Sequence, residues 1–394
     1  MWWLIIITAL LIWVVADLSL GKYFFKKKLT TREYPERQSQ IEFYSSGPQL
    51  FQQMFVDFQQ AQKSIHVLFY AVEDDSFGLE FLASLEDKAR QGLTIRLVMD
   101  RLGSLKIKKS LVQRLEKNGV HVQFSLKPRL PFLLFSIQQR NHRKVTVIDG
   151  KIGYLGGYNV GLQYVDQGKK HLSPWRDYHL RIKGEGVQDL QREFLFEWND
   201  STLFEDSSLF PPLPKEKMAH QFYPSEGVKL EDLFYDLIEK AEQTLIICTP
   251  YFIPTPKLEQ ALIRALERRV ELRILVPQEA DHVLVKEASF KHFRKIIPLG
   301  AKVFQYKDGF FHGKVFVVDK KIADVGTANF DKRSLFLNFE LNNIISDLGL
   351  IEQIVRTIET DVEKSHHLTA QELKQVGIQV RIKEFFASIF SYFL

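Results

Sequence analysis

The sequence predicts an α/β protein built from two similar halves, and three observations predict it. Strand-like and helix-like stretches alternate along most of the 394 residues, the same order of elements occurs twice, and one four-residue motif recurs with matching internal spacing. The length suits two or three domains. Apolar residues at 45% and charged residues at 26% are ordinary for a globular chain with a sizeable core.

In the first half a helix-like stretch around 50–61 leads into the β-rich run SIHVLFYAV at 64–72. The helical segment LEFLASLEDKARQG then precedes the strand TIRLVMD, and another helix leads to VHVQF at 120–124. In the second half LEDLFYDLIEKA leads into TLIICTPYFIP, LEQALIRALERR precedes ELRILVP, and a helix near 286–297 leads to AKVFQY. Such alternation argues a sheet with parallel strands. The Pro-rich stretch LFPPLPKEK at 209–217 is the natural boundary, giving domains 41–208 and 218–394.

The repeated motif carries the chemistry. NHRKVTVIDGKIGYLGGYN supplies His142, Lys144, Asp149 and Asn159, and FHGKVFVVDKKIADVGTAN supplies His312, Lys314, Asp319 and Asn329. Each separation agrees: 142 to 144 and 312 to 314, 144 to 149 and 314 to 319, 149 to 159 and 319 to 329. A lone His-x-Lys is more often a surface pair, but two copies with four-position agreement are hard to ascribe to chance. Read as strands, HRKVTVID and its partner project His and Lys to one face and Arg143 to the other, and VTVI and VFVV suit burial on both faces.

These residue types fit phosphodiester chemistry. Lysine ammonium groups and asparagine amides neutralise the non-bridging oxygens. One neutral imidazole attacks phosphorus, and a second exchanges protons with the leaving and incoming alcohols. One histidine cannot readily do both, so the two copies are expected to meet in a single site. A carboxylate holds each imidazole's tautomer and orientation. Two lysines at the phosphate leave no need for a metal, and no Cys/His cluster has zinc-site spacing. Cys248 lies in the apolar run TLIICTP and reads as a buried strand residue rather than a nucleophile.

Residues 1–16, MWWLIIITALLIWVVA, carry no charge, and the apolar stretch extends to residue 20. About 20 apolar residues span a bilayer core, so 1–20 reads as a transmembrane anchor. A cleaved signal peptide needs a basic start and a small-residue cleavage site; here no Lys or Arg precedes the apolar run and ADLSLG is a poor site. Lys22, Lys26, Lys27 and Lys28 follow the span, which places the rest of the chain on the cytoplasmic face, and 21–40 reads as a basic, polar linker. The net charge of +5 mildly favours anionic partners without arguing for nucleic acid. Two segments stay open between lipid contact and core packing: PRLPFLLFSIQQ at 128–139, and the Phe-rich tail at 380–394 with Phe385, Phe386, Ile389, Phe390 and Phe393 at helical spacing.

The two motifs resemble those of the phospholipase D superfamily over nearly the whole chain after the linker. FYAVEDDSFGLEFLASL, RNHRK with GYLGGYNVG, WRDYHLRIKGEGVQDLQREFLFEW, TPYFIP and GTANFDKRSLFLNFE resemble the bacterial cardiolipin synthase branch in particular. The resemblance implies two domains packed with pseudo-twofold symmetry and two histidines facing one site, with His142 as nucleophile and His312 as acid and base. It implies catalytic roles for Lys144, Asp149, Lys314 and Asp319, and substrate binding by Asn159, Asn329 and Glu340. It also implies phosphatidylglycerol and other anionic phospholipids as partners, no cofactor, and phosphatidyl transfer that yields cardiolipin and glycerol. Many members of that branch begin with two membrane helices where this chain has one candidate, so it resembles the shorter, minor synthases of Gram-positive bacteria. A nuclease, a plain phospholipase D hydrolase and an inactive scaffold are the competing readings. The apolar start disfavours the nuclease, the intact motifs disfavour the scaffold, and hydrolysis differs from transfer only in what resolves the intermediate.

Overall fold

The computed structural model describes residues 2–29, 31–169, 172–282 and 284–392. The side chains of Lys28, Ile389 and Phe390, and the whole of Phe393, lie outside the described set, so the Phe-rich tail is described only in part.

The strands, in chain order, begin with β1 (Arg37–Tyr44), β2 (Ser64–Phe69), β3 (Thr94–Asp100), β4 (Val120–Ser125), β5 (Arg140–Asn141), β6 (Val145–Ile148), β7 (Ile152–Gly156), β8 (Trp175–Arg176) and β9 (His179–Gly184). The second half contributes β10 (Met218–Glu226), β11 (Thr244–Cys248), β12 (Glu271–Pro277), β13 (Lys302–Tyr306), β14 (Phe310–Phe311), β15 (Val315–Val318), β16 (Ile322–Gly326), β17 (Asn338–Ile345) and β18 (Ser365–Leu368). Among the described residues, 16 of these strands form one sheet in the order β18-β13-β12-β11-β15-β16-β17-β10-β1-β9-β7-β6-β2-β3-β4, with β5 attached to β17. Read outward from the β10–β1 pair, the two halves follow matching orders, so the duplication is a pseudo-twofold in space. The sheet is mixed rather than parallel: β2, β3 and β4 run parallel, as do β11, β12 and β13, whereas the motif strands form antiparallel hairpins.

All four residues of β6 and of β15 are buried, as their β-branched and aromatic side chains require. One apolar cluster joins Val145, Val147, Leu190 and Phe194 of the first half to Val315, Val317, Ile351 and Ile354 of the second. The halves therefore share a core, which fixes their relative position.

The amino-terminal helix runs Trp2–Lys28, past the expected end at residue 20, and is the one described helix long and apolar enough to cross a membrane. Its last turns are docked. Asp17 Oδ1 accepts the Phe135 N–H at 2.8 Å, Phe24 stacks on Phe132, and Phe25 stacks on Phe339. A Cβ at Gly21 would lie 2.6 Å from the Phe135 Cβ, so only glycine permits this approach. Segment 128–139 is thus packed against the amino-terminal helix, with Phe135 buried and Leu130 exposed. The stretch read as a linker is also tied down: the Arg32 guanidinium lies between Glu193 and Glu226, Tyr34 donates to Glu193 at 2.7 Å, and β1 begins at Arg37.

Candidate active site

His142 and Lys144 stand just before β6, and His312 and Lys314 just before β15, rather than inside those strands. What fixes the histidines is a crossed pairing of the halves. β5, immediately before His142, pairs with the start of β17 in the other half, and β14, immediately before His312, pairs with β8. The His142 N–H donates to the Phe339 carbonyl at 2.9 Å and the His312 N–H to the Arg176 carbonyl at 2.7 Å. Each pairing brings up the residue that follows. His142 Nδ1 lies 3.0 Å from Glu340 Oε2, and His312 Nδ1 lies 2.5 Å from Asp177 Oδ2. A carboxylate of each half therefore orients the imidazole of the other and, by accepting Nδ1–H, leaves Nε2 as the nitrogen available for chemistry.

The carboxylates are themselves held. Glu340, 0% exposed, also accepts from Thr327 Oγ1 at 2.5 Å and from Asn338 Nδ2 at 3.1 Å, while Asp177 accepts from its neighbour's N–H at 2.7 Å. Burial works against ionisation of both, but His142 and Lys144 outweigh it at Glu340, and Lys314 and His312 outweigh it at Asp177, so both sit below the usual carboxylate value.

Both lysines are buried, Lys144 at 0% and Lys314 at 3% exposure, and each ammonium donates to the carbonyl of its own histidine. Burial pushes Lys144 down to about 7 and Lys314 down to about 8, with Glu340 and Asp177 opposing the drop. Burial likewise lowers both imidazoles, His142 against the pull of Glu340 and His312 to about 4 with Lys314 reinforcing. Both shifts favour the neutral ring, the state a nitrogen nucleophile needs.

One cavity of about 820 Å³ is lined by both histidines, both motif asparagines, Tyr70 and Tyr251. That lies within the ~300–1,000 Å³ usual for ligand sites. The Asn159 amide is held by the Ala71 N–H and the Tyr164 hydroxyl, while Asn329 Oδ1 has no partner among the described residues. Tyr70 packs edge-on against His142, and Trp175 packs against His312. Among the described residues no cluster of three or more His, Cys, Asp or Glu side chains could hold a metal ion. Cys248 is buried in β11, and burial raises its thiol well above the ordinary value.

Asp149 and Asp319 lie outside this cavity, against the expectation that they act with the histidines. Each begins the turn of its hairpin in a left-handed conformation, φ 53° and φ 51°, which Asp tolerates. The Asp149 carboxylate accepts from the N–H groups of Gln62, Lys63 and Ser64, and Asp319 from those of Glu242, Gln243 and Thr244, all at 2.7–3.0 Å. Both tie the hairpin to the loop that opens β2 or β11. Glu340 is likewise placed behind His142, where it holds the ring rather than the substrate. Asp177 was missed: it follows Asn159 at a different spacing from that of Glu340 after Asn329, so the repeat did not flag it, although it sits in the WRDYH stretch. Arg143 points away from the histidine into a buried network with Glu197 and Glu226, as alternation predicted.

A family profile described as "Cardiolipin synthase, PLD-like domain" matches residues 54–195 and 234–362. The chain is 38% identical over 392 residues to the minor cardiolipin synthase ClsB of Bacillus subtilis, covering 99% of this chain and 98% of that one. It is 33% identical over 360 residues to cardiolipin synthase 2 of Staphylococcus epidermidis, covering 89% and 74%. Among solved structures, the phosphatidylserine synthase of Haemophilus influenzae matches with a TM-score of 0.72 over 95% of this chain and 100% of that one, at 17% identity, a likeness of fold. With these matches and the paired motifs on one cavity, the chain belongs to the cardiolipin synthase family of the phospholipase D superfamily.

Proposed function

We propose that the protein transfers a phosphatidyl group from one phosphatidylglycerol to a hydroxyl of another, giving cardiolipin and glycerol. The observation that carries this reading is the pair of imidazoles on one cavity, each with Nδ1 bound to a carboxylate from the opposite half. His142 Nε2 attacks phosphorus, the bond to the glycerol oxygen breaks, and His312 supplies the proton to that oxygen. The acceptor hydroxyl then gives its proton to His312 and attacks phosphorus, and the P–N bond to His142 breaks. Lys144 and Lys314 neutralise the non-bridging oxygens, Asn159 and Asn329 border them, and Glu340 and Asp177 hold the rings. The bound phosphate's negative charge raises the pKa of the ring that must donate. Asp149 and Asp319 brace the hairpins that carry the motifs. The two domains, 41–208 and 218–394, contribute equally.

The same reading places the catalytic domains on the cytoplasmic face of a single amino-terminal span, supported by the lysines at its end. The carboxy-terminal helix (Ile378–Phe390) supports a membrane-side position: Ile378, Ile382, Phe385 and Phe386 are exposed. The Lys22 ammonium of the span lies over the rings of Phe336 and Tyr392, which joins that tail to the end of the anchor.

The test uses phosphatidylglycerol carrying an activated leaving group. His312→Ala should accumulate covalent phosphatidyl-enzyme and His142→Ala should never carry it, with mass spectrometry of wild-type products on phosphatidylglycerol vesicles showing cardiolipin. Label on His312 in the His142→Ala protein would reverse the roles, and no label in any protein would favour direct attack by the acceptor.

A further inference from the structure

The chemistry of the cavity is nearly twofold, but its charge is not. Arg140 and Arg333 both line it, one from each half. Aligning the motifs on their histidines and asparagines sets Arg140 against Phe310 and Arg333 against Gln163. Neither counterpart is basic, so the arginines form a single pole that the pseudo-twofold does not repeat. Lys169 also reaches the cavity wall, from an exposed loop.

Both guanidinium groups are anchored by backbone carbonyls of consecutive residues. Arg333 Nη2 donates to the Gln138 carbonyl at 2.8 Å, and Arg140 Nη1 donates to the Gln139 carbonyl. No described carboxylate forms an ion pair with Arg140. Asp100 is close by, but its oxygens are occupied by the N–H groups of Leu102, Gly103 and Asn141. Burial lowers the pKa of Arg140 and the charge of Arg333 lowers it further, while Asp100 and Tyr70 oppose the drop. Two like charges held on a partly buried wall repel one another, and an anion placed between them relieves that repulsion. Guanidinium groups match phosphate oxygens in paired, planar geometry.

The phosphate undergoing transfer already has Lys144 and Lys314 for its charge. We propose that Arg140 and Arg333 seat a second phosphate, the one carried by the phospholipid that accepts the phosphatidyl group. This rests on the transfer reading above and adds to it a cause of acceptor choice. An acceptor bearing its own phosphodiester is held at both ends of its glycerol, with its hydroxyl at the histidines and its phosphate at the arginines. A neutral alcohol can use only the first contact. The product, with two phosphates joined by one glycerol, spans both seats.

The full-length enzyme is assayed on phosphatidylglycerol vesicles with ethanol present, so that both acceptors compete for one donor. Mass spectrometry reads the ratio of cardiolipin to phosphatidylethanol, which is independent of how much enzyme is folded. Arg140→Gln and Arg333→Gln should each lower this ratio by about ten- to a hundredfold, the loss expected for one charge-assisted hydrogen bond. Arg140→Lys, which keeps the charge without the fork, should fall between Arg140→Gln and wild type. An unchanged ratio, or a parallel loss of both products, overturns the second-phosphate seat. Wild-type enzyme that makes phosphatidylethanol but no cardiolipin overturns the transfer reading itself, and the seat with it.

Discussion

Replacing Glu340 by Gln keeps the shape of the side chain and removes one buried charge beside His142, the ring proposed as nucleophile. The carboxylate lies 3.0 Å from His142 Nδ1 and is fully buried. As His142 attacks phosphorus its ring becomes cationic, and the Glu340 charge stabilises it. Two unit charges about 4 Å apart at an effective dielectric near 20 attract by about 4 kcal/mol. The Gln amide oxygen retains part of that interaction, leaving a loss of about 3 kcal/mol, or roughly a hundredfold in rate. A single-turnover, rapid-quench measurement on a phosphatidylglycerol analogue with an activated leaving group isolates the attack step. Glu340→Gln should slow leaving-group release by about that factor. Asp177→Asn should leave release much faster than Glu340→Gln does and slow breakdown of the covalent intermediate instead. Release from Glu340→Gln at the wild-type rate would refute the argument that this carboxylate acts on the attacking ring.

Four further outcomes follow from particular contacts. The kcat/KM profile should fall as pH rises through about 7 to 8, because Lys144 and Lys314 lose the cationic form that binds phosphate in the free enzyme. The limb for kcat should lie higher, since bound phosphate favours the charged lysines. Asp149→Ala leaves three backbone N–H groups without their acceptor and should lower the melting temperature, at about 1–3 kcal/mol for the lost hydrogen bonds, while kcat per folded enzyme changes far less than in Glu340→Gln. Burial raises Asp324 to about 7, so its folded value exceeds its unfolded one. Stability from this group is therefore complete below the unfolded value and is lost as pH rises toward 7, and Asp324→Asn should flatten that decline in a melting-temperature series. Deleting residues 1–14 keeps Asp17 and should release much of the protein from vesicles in a flotation assay with the fold intact, whereas deletion through residue 28 also strips the cover from Phe132, Phe135 and Phe339 and should lower solubility.

Local and repeated features were legible in the sequence; contacts between halves were not. The apolar runs VTVI and VFVV named the buried strands, and the matching spacings named the two histidines and two asparagines that line the cavity, with the lysines buried behind the histidines. Spacing could not separate the roles of carboxylates. Asp149 and Asp319 keep register with the histidines because each hairpin needs a left-handed turn residue that also caps three backbone N–H groups. Asp177 and Glu340 do the orienting and come from opposite halves, so neither keeps a fixed sequence distance from the ring it serves. Extending the motif strand back to His142 failed for the same reason, because the chain breaks from the motif hairpin there and pairs instead with β17 across the pseudo-twofold. The amino-terminal helix outran its apolar stretch because Gly21, Phe24 and Phe25 dock on the 128–139 segment, a tertiary contact invisible to hydropathy.

The exchanged carboxylates have a consequence for how changes in this protein combine. His142 with Glu340 and His312 with Asp177 are the working pairs, and each is split between the two copies of the repeat. A double-mutant cycle should find strong coupling within those pairs and weaker coupling between His142 and Asp177, which belong to the same copy. The wiring is that of an isologous dimer whose two members have become one chain. A polypeptide with a single copy would recover both pairs by associating with itself, whereas either copy alone as a monomer would hold a histidine with nothing to orient it. Two damaged chains, one lacking His142 and the other His312, could not repair each other by simple mixing, since each intact ring already has its carboxylate within its own chain. Restoration would require the copies to separate and re-pair, which the shared apolar core between the halves opposes.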